Sequence, residues 1–228
     1  TLESLSSAKE QRKKARMQRL LTGKVRFGEF SGKEWSTRRL GNLFQQRNER
    51  SRKDLPLVSI TRSGGVVPRS DVAKRDNSNA DKSRYLRICP GDIGYNTMRM
   101  WQGVSGVSRL EGIVSPAYTI LIPGPEADAD FMGHFFKFEY TIHLFYRYSQ
   151  GLVSDTWNLK FKHLSPIKVT IPSREEQRKI AQVLDTADQE LAAHREELEA
   201  LKTQKRGLMQ LLLTGKVRVK TEESSKYE

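Results

Sequence analysis

Apolar residues recur at alternating spacings of four and three positions near the end of the chain. Eight of ten positions in this seam are apolar, and such a pattern over several heptads is typical of a coiled coil. Ser173 and Glu176 form a capping box directly before it. The sequence therefore predicts a helix over 173–214, about 60 Å long. The seam consists of Ile180, Leu184, Ala187, Leu191, His194, Leu198, Leu201, Lys205, Leu208 and Leu212.

A helix of this length needs a partner helix to cover its apolar side. Residues 1–22 supply part of one, with apolar residues such as Leu5 and Met17, but they are too short to cover the whole seam. Some of the seam must therefore contact another chain or stay exposed. Its two polar members, His194 and Lys205, are interpreted as residues that set the register of the paired helices.

The heptapeptide LLTGKVR occurs twice, at 20–26 and at 212–218. In both copies a helical pattern stops at Thr-Gly, and Gly23 and Gly215 fit the left-handed position that terminates a helix. The separation is far too long for a solenoid repeat. The repeat therefore predicts a duplicated helix end on either side of a globular unit.

Between the two helical segments, residues 30–172 carry short β-branched or aromatic runs separated by glycine and proline. These runs predict an α/β domain with a mixed sheet, followed by the long helix, and thus an α+β chain. The predicted helices are 39–43 and 130–147, the second with Phe131, Phe135, Phe138, Ile142 and Phe145 on a core-facing side. The predicted strands are 57–61, 85–88, 93–95, 103–109, 117–122 and 167–171.

The composition of the chain indicates which class of partner it binds. The chain has 228 residues with 40 Lys and Arg against 27 Asp and Glu, a net charge of +13, which favours a polyanionic partner, nucleic acid first. No apolar stretch is long enough to span a membrane, and Cys89 is the only cysteine, so a reducing, cytoplasmic setting is expected. We find neither a complete phosphate-binding loop nor a convincing metal-ligand spacing, which disfavours catalysis.

Residues 89–118 contain the side chains best suited to recognise bases. Asn and Gln can bond adenine edges, Arg can bond guanine, and aromatic rings can pack on sugars or thymine methyl groups. A core position for Trp101 and a solvated loop for Arg99 and Gln102 are the alternatives. The candidate residues are Asn96, Thr97, Arg99, Trp101, Gln102, Ser115 and Tyr118.

A second polar segment, 149–164, alternates polar with apolar residues and is a candidate for phosphate contact. Phosphate contacts position a protein on DNA without identifying the sequence. The candidates in this segment are Trp157, Asn158, Lys160 and Lys162. Basic residues in other loops could act in the same way, namely Arg62, Arg69, Lys74 and Arg84.

These motifs together resemble the specificity (S) subunit of type I restriction–modification enzymes. The resemblance rests on YNTMRMWQG at 95–103, GIVSPAY at 112–118, IPSREEQRKIAQVLD at 171–185 and both copies of LLTGKVR. A full S subunit of this family has two target-recognition domains, each followed by a long helix, and the two helices pack antiparallel. Each recognition domain recognises one half of a split DNA site.

The resemblance implies that this chain is a C-terminal half or a half-sized form with one recognition domain. It implies the end of the preceding helix at 1–24, a DNA target-recognition domain at 25–172, the long helix at 173–214 and a basic, polar tail at 215–228. The chain itself is expected to be non-catalytic, with no cofactor and no metal. Methyl transfer from S-adenosylmethionine is expected on partner modification (M) subunits, which a restriction (R) subunit joins.

The uncovered part of the seam leads to the hypothesis that the chain pairs with itself or with another S half. The expected interface with another subunit consists of Ile180, Leu184, Leu191, Leu198, Leu201, Leu208 and Leu212. Two alternatives stay open: a scaffold that holds the M subunits without recognising DNA, and a recognition module of a larger methylase–nuclease fusion.

Overall fold

The computed structural model of the chain describes residues 2–50, 52, 54–72, 81–153 and 156–218. Two compact units result, Met17–Leu184 and the combination of Thr1–Arg16 with Asp185–Glu228. The first helix, α1 (Leu2–Leu20), and the last, α6 (Arg174–Leu213), contribute residues to both units. Among the described residues, no helix has the length and apolar character that crossing a membrane requires.

The unit Met17–Leu184 combines short strands with short helices. Its described helices are α2 (Leu40–Leu43), α3 (Ala129–Phe136), α4 (Glu139–Tyr148) and α5 (Phe161–Leu164). Its described strands are β1 (Ser36–Arg39), β2 (Phe44–Arg47), β3 (Val58–Thr61), β4 (Gly65–Pro68), β5 (Leu86–Ile88), β6 (Ile93–Asn96), β7 (Ser105–Val107), β8 (Gly112–Val114), β9 (Tyr118–Pro123) and β10 (Lys168–Ile171).

The largest sheet has four strands in the order β2-β9-β6-β7. Strand β9 is interior, because Leu121 pairs with both Gln46 of β2 and Ile93 of β6. The ladders β1–β10, β3–β4 and β5–β8 complete the strand pairing. All these ladders are antiparallel, and parallel pairing in the described ranges is limited to the bridge between Leu57 and Ile113. The α+β class with a long C-terminal helix is confirmed.

Four of these strands are not predicted from the sequence pattern. Strands β1 and β2 read Ser-Thr-Arg-Arg and Phe-Gln-Gln-Arg, so they lack the apolar alternation of a half-buried strand. Strands β4 and β8 each begin with glycine and are short. All four strands therefore depend on pairing with a neighbouring strand. Local propensity does not reveal this pairing.

The prediction of one helix over 130–147 is wrong, because the chain forms α3 and α4 with a break between them. Asp128 caps α3 by accepting a hydrogen bond from the Phe131 N–H at 3.1 Å. Lys137 ends α3, and Phe138 is extended and packs against the core. The break contains neither glycine nor proline, so tertiary packing of Phe138 decides it. The predicted core-facing side is confirmed for Phe131, Phe135 and Phe145, which are buried, whereas Ile142 is only half-buried.

The main core extends beyond the predicted recognition domain, 25–172, at both ends. Leu20 and Leu21 from the first helix end are buried in it, and so are Ile180 and Leu184 from α6. The prediction that Ile180 and Leu184 contact another subunit is therefore wrong, since at most 1 % of each side chain is exposed within their own unit. The first turns of α6 follow the coiled-coil pattern but pack against the domain.

The beginning of α6 is joined to the domain by buried polar contacts. Ser173 accepts the Glu176 N–H at 3.4 Å, which is half of the predicted capping box. The Glu176 carboxylate, 1 % exposed, instead pairs with Arg26 through contacts of 2.8 and 2.7 Å. The fully buried Gln177 donates to the carbonyls of Glu126 and Pro172 at 3.0 and 2.9 Å and accepts the Asp128 N–H at 2.8 Å.

Both copies of LLTGKVR adopt the same helix-terminating structure. Gly23 and Gly215 have φ of +70° and +69°, which confirms their predicted left-handed conformation. In each copy the threonine hydroxyl, Thr22 or Thr214, donates to the carbonyl four residues earlier at 2.6 Å. The surroundings differ: Leu20 and Leu21 are buried in a domain core, whereas Leu212 and Leu213 are exposed.

In the second unit, the beginning of α1 runs antiparallel to α6. The ion pairs Lys13–Asp188, Glu10–Arg195 and Glu3–Lys202 step in opposite directions along the two helices. This confirms residues of α1 as a partner for part of the seam. Leu191 and His194 are buried and Leu198 is half-buried, but Leu201, Leu208 and Leu212 are exposed.

Candidate nucleic-acid interface

The turn between β6 and β7 holds the polar residues of the YNTMRMWQG motif. Asn96 accepts the Met98 N–H through its side-chain oxygen at 3.0 Å, and the Thr97 hydroxyl donates to the Ala117 carbonyl at 2.9 Å. Met100 is completely buried and anchors the turn. The side chains of Asn96 and Thr97 therefore shape this turn, while Arg99 is exposed.

Three aromatic rings form a cluster beside this turn. Trp157 lies edge-on to Trp101 at 5.3 Å and to Tyr146 of α4 at 4.9 Å between ring centroids. The Trp101 indole N–H donates to the Met98 carbonyl at 3.1 Å. Edge-to-face packing and this hydrogen bond hold the rings in defined orientations. The side chain of Trp101 is half-buried. Its environment is intermediate between the core position and the base-contacting position that the sequence allowed.

An open cleft of about 610 Å³ lies next to the cluster. It combines aromatic rings, an amide, a guanidinium, an imidazole and a carboxylate, groups that can bond base edges or pack on a base. The cleft is lined by Arg62, Trp101, Gln102, Glu139, Ile142, His143 and Tyr146.

A close contact between two glycines positions the β3–β4 hairpin near this cleft. A Cβ atom placed on Gly106 of β7 would lie 2.6 Å from the Gly65 Cα, a distance that only the absence of a side chain permits. Arg62 belongs to the exposed turn of the hairpin. The glycine pair thus helps to bring Arg62 to the cleft that Trp101 and Gln102 line.

Residues 32–203 match the family described as "Type I restriction modification DNA specificity domain". The match covers most of the chain. This chain belongs to the type I restriction–modification DNA specificity family. The resemblance seen in the sequence motifs is thereby confirmed.

The chain is also similar to individual specificity subunits. Over 60 residues the chain is 45 % identical to a Methanocaldococcus jannaschii protein assigned as the MjaX type I restriction enzyme specificity subunit, covering 26 % of this chain and 14 % of that protein. The HsdS subunit from Thermoanaerobacter tengcongensis matches the fold with a TM-score of 0.54 and 14 % identity, over 86 % of this chain and 47 % of that one.

A second solved structure, the type I restriction–modification S subunit from M. genitalium, matches with a TM-score of 0.58 and 15 % identity. The match covers 91 % of this chain and 55 % of that chain. The chain thus spans about half the length of the solved specificity subunits that it resembles in fold.

The structure of this family member gathers some of the sequence-predicted residues at the cleft and leaves others elsewhere. Arg62, Trp101 and Gln102 line the cleft, and Trp157 packs against its wall. Asn158 continues from Trp157 and pairs through its backbone with Gln150. Lys74 lies outside the described residues. The predicted residues that do not line the cleft are Arg69, Arg84, Asn96, Thr97, Arg99, Ser115, Tyr118, Asn158, Lys160 and Lys162.

Ser115 and Tyr118, like Asn96 and Thr97, act within the fold. Ser115 accepts the Ala117 N–H through its hydroxyl at 3.4 Å, and its carbonyl accepts the Tyr118 N–H at 3.0 Å. Tyr118 packs against a small core cluster that includes Val58 and Ile120. Turn formation and core packing therefore account for the half-buried positions of both side chains.

Lys160 and Lys162 form an exposed basic strip at the start of α5. Burial and the positive charges of Lys162 and Lys160 hold the pKa of His163 below its usual range. The neutral form of His163 is thereby favoured, and the two lysines provide the charge of this strip.

Several other arginines are paired with carboxylates. Arg47 donates to Asp92 at 2.7 and 3.0 Å. Arg87 donates to Glu111 and Glu49, and these hydrogen bonds raise its pKa. The net charge of the chain therefore overstates the number of cations available to phosphate groups. In the ranges with assigned structure, no cluster of three or more His, Cys, Asp or Glu residues could hold a metal ion.

Sequence reasoning missed the contribution of α4 to the cleft. Glu139, His143 and Tyr146 were not candidates because the helical pattern emphasises the core-facing phenylalanines on the other side. Their spacing of four and three residues was the available signal, since it places them on one helix face.

Proposed function

We propose that this chain is the DNA-recognition subunit of a type I restriction–modification complex and that it recognises one half of a bipartite site. The observation that carries this proposal is the cleft, which joins Arg62, Trp101 and Gln102 in a member of the DNA specificity family. Arg and Gln can form bidentate hydrogen bonds with guanine and adenine, respectively.

In this proposal, other subunits of the complex carry out the catalytic reactions. M subunits bind S-adenosylmethionine and transfer the methyl group, and an R subunit joins them, in the cytoplasm. The role of this non-catalytic chain is to position these subunits on DNA. Support comes from family membership and from the solved relatives, which are named as S subunits of type I systems.

The proposal includes pairing of this chain with a second S half through the distal end of α6. The first LLTGKVR copy buries Leu20 and Leu21 in a domain core, and its Arg26 pairs with the buried Glu176. The second copy repeats the helix end but exposes Leu212 and Leu213. In this proposal, the second copy packs against the recognition domain of the second S half, as the first copy packs against a domain core.

The decisive experiment is selection from random duplex DNA by the full chain, with and without its M subunit. Two short inverted blocks around a fixed spacer would support a paired half-subunit, because a two-fold dimer recognises a palindromic split site. One block would support a single recognition domain. Complex formation without any enrichment would favour the scaffold alternative and reject the recognition proposal.

Gln102→Ala should weaken discrimination at one base position of the selected site by about 1–3 kcal/mol, because a bidentate base contact is lost. Competition binding with duplexes that differ at that position measures the effect. Gln45→Ala is the matched control, since Gln45 is exposed on β2 and does not line this cleft. An unchanged preference in Gln102→Ala would remove Gln102 from the base contacts.

Lys160→Ala should weaken binding to all duplex sequences alike. Loss of one phosphate contact reduces the slope of log K against log salt concentration by about 0.9. Titrations at several salt concentrations measure this slope, and Lys168→Ala serves as a control at an exposed lysine on β10. An unaltered slope in Lys160→Ala would exclude a phosphate contact there.

A further inference from the structure

The helix α4 presents a polar and aromatic face to the cleft. Glu139, Ile142, His143 and Tyr146 are spaced as neighbours on one helix face, and all four line the cleft. Thr141 and Phe145 are buried. Tyr140 is exposed on the same helix but does not line the cleft. The cleft-lining face is thus a defined part of the exposed surface of α4.

We propose that α4 is a second base-recognition element, which enters the major groove and contacts base edges through Glu139 and Tyr146. This inference rests on the proposed DNA-recognition function. A helix of ten residues is about 15 Å long, and the major groove, about 12 Å wide, admits an α-helix. Arg62 and Gln102 line the same cleft, so the elements can contact neighbouring base pairs.

The carboxylate of Glu139 indicates which part of DNA this face contacts. A carboxylate repels phosphate, so it opposes binding of the DNA backbone in the cleft. It accepts hydrogen bonds, and the exocyclic amino group of cytosine is the base donor that Glu suits. Glu139 therefore selects for a base pair that presents an amino group at its position in the groove.

Tyr146 is held for such a contact by the rings around it. Its ring packs edge-on to Trp157 at 4.9 Å between centroids and stacks at 25° to His143 at 6.2 Å. Nearly half of the side chain is nevertheless exposed. A fixed ring with an exposed surface can contact a base with little loss of side-chain freedom.

The experiment is duplex selection with the full chain and its M subunit, followed by competition binding of E139Q and Tyr146→Ala. E139Q should lower the preference at one base position about 5- to 150-fold, the equivalent of about 1–3 kcal/mol. Its affinity for unrelated duplexes should stay equal or rise, because a negative charge is removed. Tyr146→Ala should lower preference at a neighbouring position.

Matched controls separate recognition from folding. Glu34→Gln removes an exposed carboxylate elsewhere in the same unit, and Tyr140→Ala removes an exposed ring from the same helix. Both should retain the wild-type preference, and E139Q and both controls should retain the wild-type thermal midpoint. E139Q tests the inference even if Tyr146→Ala fails to fold.

The outcomes distinguish this inference from the proposed function. A wild-type chain that enriches a motif, with E139Q enriching the same motif at the same strength, would overturn the role of α4 alone. A uniform loss of affinity in E139Q would also overturn it. Failure of the wild-type complex to enrich any motif would overturn both proposals.

Discussion

Replacing Leu212 by Asp should strongly weaken pairing of this chain with a second S half. Leu212, Leu208 and Leu213 are exposed at the distal end of α6, and burial of one leucine against a partner contributes about 1.5–3 kcal/mol. The variant loses this contribution and must also bury a charge, which is more costly. We therefore expect association to weaken at least about 100-fold. Sedimentation equilibrium over a range of micromolar concentrations measures the change.

Gln210→Asp is the matched control for this experiment. It adds the same charge near the same helix end, but two residues correspond to more than half a helical turn, so residue 210 faces away from Leu212. This control should pair like the wild-type chain. A Leu212→Asp variant that pairs as strongly as Gln210→Asp would contradict an interface at the distal end of α6.

Gln177→Leu should lower the free energy of unfolding by about 2–4 kcal/mol, because it leaves three backbone groups beside this buried side chain without their hydrogen-bond partner. The groups are the Asp128 N–H and the carbonyls of Glu126 and Pro172. Leucine has nearly the same size, so the loss of hydrogen bonds dominates the effect. Equilibrium unfolding in urea, followed by tryptophan fluorescence, measures the difference.

The control for this variant is Gln189→Leu, which removes an exposed amide from the same helix. It should change stability by less than about 0.5 kcal/mol, as is usual for a surface substitution. A Gln177→Leu variant as stable as this control would mean that water satisfies the three backbone groups. The Glu-Glu-Gln sequence at the start of α6 would then need an explanation other than stability.

Local patterns in the sequence were sufficient to predict the long helix and the two helix ends. Ser173 before an apolar repeat predicted the start of α6, and Gly23 and Gly215 predicted left-handed termini. These features depend on residues near in sequence, so one chain is enough to recognise them. The motifs around residues 95–103 and 171–185 were sufficient for the family, which residues 32–203 confirm.

The heptad pattern of the seam did not show which surface covers each part of it. Ile180 and Leu208 follow the same heptad spacing, yet Ile180 is buried in a domain core and Leu208 is exposed. Periodicity shows which side of a helix is apolar but does not identify the surface that packs against it. Only the folded chain distinguishes the two ends of α6.

Tertiary structure alone decided the composition of the cleft. Arg62, Gln102 and Tyr146 come from a hairpin turn, a turn between strands and a helix, far apart in sequence. Their meeting depends on the Gly65–Gly106 contact and on the break between α3 and α4, neither of which has a strong local signal. The sequence therefore determined the family, the long helix and the types of side chain available. Long-range packing decided which of those side chains share one surface, because contacts between distant segments depend on the whole fold.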